Sequence, residues 1–189
     1  SAASGMNAIA HCVEALYAVD ANPITSLMAE EGIRALAQAL PALVREPKNR
    51  DARSDALYGA WLGGAALGAV GMALHHKLCH TLGGTWNLPH AETHAIVLPH
   101  ATRYNRDAAP EAMARIARAL GATDAPTGLY DLETKLGLKM TLAELGLKPA
   151  DLARAAKIAT ESPYPNPATV TYDGILELLS NAHAGLRPL

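Results

Sequence analysis

The sequence predicts an all-α chain, and three observations carry that expectation. No run alternates apolar and polar residues for long enough to make a strand. Apolar residues instead recur at helical spacing, as in Met28, Ile33, Leu36 and Leu40. Gly, Pro and Asp punctuate the stretches between such runs.

The elements follow in order. Ser4, ahead of Gly5-Met6-Asn7-Ala8-Ile9-Ala10-His11, reads as the N-cap of a first helix running to Ala18. Pro23, Thr25 and Ser26 open a second helix. A third starts near Asp51 and continues through a Gly/Ala-rich segment, with a break near Gly71. Gly83 to Pro89 reads as a loop, which places His90 at the start of the next helix. Shorter amphipathic pieces are expected at 110–120, 126–137, 141–145, 149–159 and 172–184. Residues 162–167, Ser-Pro-Tyr-Pro-Asn-Pro, must be a loop, because three alternating prolines exclude a helix.

With 189 residues, half of them apolar and 18% charged, the chain has the composition of a folded domain. A net charge of −2 gives no reason to expect nucleic acid or an anionic membrane as partner. The stretch from Ala56 to Leu74 has no charge and approaches the length of a membrane span. It is mostly Ala and Gly, however, and has no basic anchors, so it reads as a buried helix whose small residues let its neighbours approach. The N-terminal residues show no signal-peptide pattern, so a cytoplasmic location is expected. Cys12 and Cys79 read as buried reduced thiols, with a disulfide as the alternative.

Six of the eight histidines fall between residues 75 and 100. His76 and His80 are spaced i, i+4 on one helix, His90 and His94 on another, and Asn7 and His11 on the first. Such pairs present two polar groups on one face. Core packing asks for no polar residues there, so three convergent faces would make a metal site, an acid–base site, or both. His100 and His183 lack such partners and read as ordinary structural residues.

At these residues a resemblance becomes specific. The run HHKLCHTLGGTWNLPHAETHAIVLPHATRYN, residues 75–105, resembles the signature of the iron-type alcohol dehydrogenases. Its matching parts are His76, His80-Thr81-Leu82-Gly83, Pro89-His90-Ala91, Leu98-Pro99-His100 and Arg103-Tyr104-Asn105. The opening Ser4 to Glu14 resembles that family's S-G-x-D-A-x-x-H-x-x-E, and the Pro-rich segment 162–167 resembles the loop before its last helix. The resemblance implies the multi-helix C-terminal domain of the iron-type alcohol dehydrogenase, or dehydroquinate synthase-like, fold, with residues 1–189 as one helical catalytic domain. It also implies that the family's N-terminal nucleotide-binding α/β domain is absent from this chain; Leu62 to Gly68 lies in an apolar helical run and is no phosphate loop.

The family's metal ligands map onto Asn7, His11, His76 and His90. Asn7 stands where metal-using members carry Asp, which removes the one anionic ligand. No bound metal is therefore expected, and the sequence looks most like the maleylacetate-reducing branch of the family. The resemblance implies NADH or NADPH as cofactor, a small dicarboxylate substrate, the missing nucleotide-binding domain as partner, and a homo-oligomer. His11, His76, His80 and His90 are the expected catalytic residues, with Asn7, Lys77 and His94 binding substrate. Protonated imidazole is expected to stabilise an enolate oxygen, so that the rate declines as pH rises through roughly 7 to 8.5. Glu14 and Glu92 are expected to orient histidines or to lie on solvated faces. The alternatives are a metal-dependent alcohol dehydrogenase domain and a helical module that binds metal or ligand without redox chemistry.

Overall fold

A computed structural model describes residues 2–189, and those residues contain nine α-helices, two short 3-10 turns and no β-strand. The first three helices are α1 (Ala2–Leu16), α2 (Pro23–Arg45) and α3 (Arg50–Ala69). Two central ones follow, α4 (Leu74–Trp86) and α5 (His90–Asn105). The remainder are α6 (Pro110–Leu120), α7 (Ala125–Lys135), α8 (Leu152–Thr160) and α9 (Tyr172–Ala184).

Local chemistry sets most of these ends. Asn22 caps α2 by accepting from the Ile24 and Thr25 amides at 3.1 Å, while Thr25 Oγ1 accepts from the Asn22 amide. Pro23 then occupies the first turn, where its missing N–H costs nothing. Asp124 caps α7 and Thr171 caps α9 in the same manner. Ser4, expected as a cap, lies inside α1 instead. The loop expected from Gly83 also starts later, because α4 runs through Gly83 and Gly84 to Trp86. Asn87, in the left-handed conformation at φ 51°, ends that helix. Residues 141–145, expected as a short helix, form turns. There Glu144 accepts from the Met140 and Thr141 amides, so its side chain replaces helical hydrogen bonding.

The apolar residues form two clusters. One joins α1, α2, α6 and α7 through Met6, Ile9, Ile33, Leu36, Ile116 and Leu129. The other joins α4, α8 and α9 through Leu74, Leu78, Leu82, Ile175 and Leu179. Helix α5 is the spine between them, buried continuously from Thr93 to Thr102. Its Ala95 and Leu98 belong to the first cluster, and its Ile96, Val97 and Ala101 to the second.

Small residues bring α1 and α3 together, as their composition predicts. A Cβ built on Gly63 would stand 2.7 Å from the Ala8 carbonyl oxygen, which is backbone and cannot move aside. Gly64, one residue on, faces open space. Gly63→Val should therefore cost about 1–3 kcal/mol. Gly64→Ala should be neutral or stabilise by roughly 0.5–1 kcal/mol, because it removes a helical glycine. Thermal melts of the two variants check this, and a tolerated Gly63→Val would overturn the packing argument.

The chain turns sharply at Val70–Ala73, where α3 and α4 meet at 95°. Asp20 accepts from the Gly71 amide at 3.0 Å, and Glu14 from the Ala73 amide at 2.8 Å, so two carboxylates from the α1 side hold the elbow. Among the described residues no single helix is long and apolar enough to cross a membrane. The outer face of α3 nonetheless carries exposed Leu57, Tyr58, Trp61 and Leu67.

Candidate active site

The elbow and the spine bring the histidines together. His11 comes from α1, His75, His76 and His80 from α4, and His90 and His94 from the first turns of α5. The His76 ring is the centre: its centroid lies 5.1 Å from those of His11 and His94, 5.0 Å from His75 and 6.1 Å from His80. The His94 ring stands 4.1 Å from His90. Burial is graded across the cluster. His80 and His90 are exposed at the mouth, His11 is half-buried, and His75, His76 and His94 form the floor.

All four histidines expected to be catalytic thus belong to one constellation, with His94 inside it. Asn7 lies one turn before His11, its side-chain oxygen buried without a partner. Lys77 stands beside the cluster, its ammonium 5.7 Å from the centre of the Tyr164 ring. His183 is structural, its Nε2 donating to the Leu147 carbonyl at 2.9 Å. His100 is buried, and both cysteines are buried free thiols. Burial pushes the Cys12 thiol up to about 12, which leaves it unreactive.

Hydrogen bonds assign two tautomers. Glu14 Oε2 lies 2.7 Å from His76 Nδ1, and a carboxylate only accepts, so Nδ1 carries the proton. His75 Nε2 donates to the His94 carbonyl at 2.9 Å, leaving His75 Nδ1 as an acceptor. That Nδ1 faces His76 Nδ1 at 3.4 Å, in agreement with the first assignment. His76 Nε2 and both ring nitrogens of His94 are buried and have no partner within the protein.

The electrostatics correct one expectation. Burial, reinforced by His76, lowers His11 to about 4 and His94 to about 2. The same two causes hold His75 well below its ordinary value and lower His80. His11 and His94 are therefore neutral near pH 7, so His11 does not supply the protonated imidazole expected of histidines left free to titrate without a metal. Burial is the main reason, since it removes the water that would solvate each cation, and the neighbouring imidazoles add to it. What His11 and His94 offer is neutral imidazole, as hydrogen-bond donor or as lone-pair acceptor.

Several contributing groups were not evident from spacing. Tyr104 and Asn105 brace the Pro-rich loop and the residues just after it, while Arg103 donates to the Leu189 carbonyl. Asn105 and Asn166 exchange amide hydrogen bonds at 2.7 and 2.9 Å, and Tyr104 donates to the Thr169 carbonyl at 2.8 Å. The braced loop carries Tyr164 to Lys77. A separate cleft of about 1060 Å³ is lined in part by Tyr17, Ala73, Arg115 and Asn166 and contains no histidine.

Known proteins resemble this chain throughout. The C-terminal region of the Fe-containing alcohol dehydrogenase family matches residues 1–183. A maleylacetate reductase of Sphingobium indicum is 58% identical over 189 residues, which is 100% of this chain and 54% of that protein. The crystal structure of a maleylacetate reductase from a Rhizobium species superimposes with a TM-score of 0.97 at 53% identity, covering 100% of this chain and 53% of that one. An iron-containing alcohol dehydrogenase from Corynebacterium glutamicum gives a TM-score of 0.95 at 43% identity, with the same coverage. The chain spans about half the length of the curated relatives it matches.

Proposed function

The chain belongs to the Fe-containing alcohol dehydrogenase family, and from that premise we propose that it supplies the substrate-side half of an NAD(P)H-dependent maleylacetate reductase. The observation that carries this reading is an intact histidine constellation in which the carboxylate position of the family motif is held by Asn7. The 58% identity to a maleylacetate reductase over the whole chain supports it.

In the proposed reaction a nicotinamide hydride adds to the alkene carbon β to the ketone of maleylacetate. The displaced electron pair moves onto the ketone oxygen as an enolate, and a proton then reaches the α carbon, giving 3-oxoadipate and NAD(P)⁺. Neutral imidazole N–H groups of the cluster and the Asn7 amide would donate to that oxygen. His80 and His90, at the mouth, are placed to relay protons, and Lys77 to meet a substrate carboxylate. The described residues contain no strand and no phosphate loop, so the coenzyme is assigned to a nucleotide-binding domain outside them. The exposed apolar face of α3 supports a homo-oligomeric assembly.

A second reading is favoured by the partnerless atoms. Asn7 Oδ1 and His76 Nε2, with His11 and His90, occupy the family's ligand positions, and neutral imidazoles are what a metal centre requires. Three imidazoles and an amide oxygen carry no charge, so the set suits zinc better than a hard ion such as ferrous iron. A bound ion would supply Lewis-acid stabilisation of the substrate oxygen.

One experiment separates the readings. The chain is joined to the nucleotide-binding half of the Sphingobium enzyme, and maleylacetate reduction is followed with NADH and NADPH. Activity should persist in EDTA, and Asn7→Asp should raise zinc affinity by about tenfold or more, since it restores an anionic ligand. Loss of activity in EDTA with recovery in zinc would establish the metal reading. A folded, NADH-binding fusion that reduces no maleylacetate would sink both. The 189-residue chain alone should show no NADH binding by calorimetry.

A further inference from the structure

Glu14 is wholly buried on α1, at the third position after His11. Its Oε1 accepts from the His75 amide at 2.8 Å. Its Oε2 accepts from the Ala73 amide at 2.8 Å and from His76 Nδ1 at 2.7 Å, with the His76 amide at 3.4 Å. Helix α4 has no side-chain cap of its own, because Ala73 occupies the N-cap position. A carboxylate from another helix therefore satisfies the otherwise unpaired N–H groups of its first turn, where the helix dipole also favours an anion. The carboxylate serves the helix end and the His76 ring with the same two oxygens.

We infer that Glu14 is the positioning residue of the site: it locks His76 as the Nδ1–H tautomer, so that the buried Nε2 carries the lone pair. Two independent contacts agree on the assignment, the 2.7 Å approach of Glu14 Oε2 and the acceptor character of the facing His75 Nδ1. The partnerless His76 Nε2 is the atom that results. This is the arrangement in which an outer carboxylate orients an imidazole for whatever its far nitrogen must bind. A flipped tautomer would put an N–H where the site now has an acceptor, changing both proton delivery and any ligation. The inference rests on the placing of His76 in the reacting cluster.

Histidine tautomers are read directly by two-bond ¹H–¹⁵N correlation NMR on the 189-residue chain. The unmodified chain should show His76 protonated at Nδ1 and bare at Nε2. In Glu14→Gln the amide NH₂ can donate to Nδ1, and His76 should move to the Nε2–H form while the helices persist by circular dichroism. Glu14→Asp keeps a carboxylate and should retain or partly recover the Nδ1–H form, which a merely structural role for Glu14 would not require. In the fused enzyme, Glu14→Gln should lower kcat by about 10- to 100-fold with a smaller change in KM. An Nε2–H His76 in the unmodified chain overturns the inference whether or not any variant folds, as does an unchanged tautomer in folded Glu14→Gln. A tautomer that flips with no change in kcat upholds Glu14's control of the ring and instead removes His76 from the reaction, which counts against the reductase reading.

Discussion

Replacing His76 by alanine in the fused enzyme is expected to lower kcat by about 10²- to 10⁴-fold, the span typical of losing a positioned acid–base group. The expectation follows from its central place. Its ring lies within about 6 Å of four other imidazoles, and its free nitrogen is buried without a partner. The substitution also strands Glu14, whose carboxylate would lose a donor inside the protein. Circular dichroism and KM must therefore be followed beside kcat, to separate lost chemistry from a disturbed α4. His183→Ala is the control: its ring bonds the Leu147 carbonyl far from the cluster in sequence, and kcat should stay about unchanged. An active, folded His76→Ala enzyme would falsify the assignment of this ring to the reaction.

A second large effect is expected at Glu133 on α7, away from the histidines. Its side chain is wholly buried and neither carboxylate oxygen has a partner. Burial alone raises its pKa well above the ordinary carboxylate value, so the folded chain holds the proton that the unfolded chain releases. Glu133 therefore costs least below the unfolded carboxylate range and increasingly more as pH rises above it. Glu133→Leu should stabilise the chain at neutral pH by about 1–3 kcal/mol, the cost of an unsatisfied buried polar group. That corresponds to a Tm gain of roughly 2–4 °C per kcal/mol for a domain of this size. The gain should shrink as pH falls toward 4. A variant no more stable than the parent at pH 7, or a gain that grows on acidification, would show that Glu133 has a partner in solution.

The helices were legible because their apolar spacing, caps and breakers act within a few residues. Pro23 after Asn22, the break near Gly71 and the three prolines of 162–167 each fell where local sterics put them. Boundaries failed where a local glycine was misleading: Gly83 and Gly84 are compatible with a turn, yet α4 continues past them to Trp86. The i, i+4 pairs revealed which histidines share a face, and the elbow at Val70–Ala73 explains why three such faces converge. What spacing could not reveal is the set of contacts made across 59 to 62 residues by Glu14, since a glutamate in a helix usually lies on its solvated side. Its partner was the missing signal, a helix whose N-cap position is Ala73, without a capping side chain. Nor could the absence of an anionic ligand at Asn7 indicate whether His11 is protonated. Burial first, and the neighbouring imidazoles second, make His11 and His94 poor cations, and both are properties of the assembled site.

The division of the interior into two apolar clusters has an optical consequence. The chain holds two tryptophans and no phenylalanine. Trp86 packs against the cluster of α4, α8 and α9, with the Arg154 guanidinium 5.7 Å from its ring. Trp61 stands on the outer face of α3 and is 66% exposed. Their emission therefore separates by environment: an aqueous quencher reaches Trp61 first, while a red shift of the shielded component marks α4 parting from α8. A surface that lands on α3 shields the exposed component from the quencher and leaves the other unchanged. The chain thus carries one intrinsic reporter of docking and one of internal loosening, readable in a single spectrum without a label.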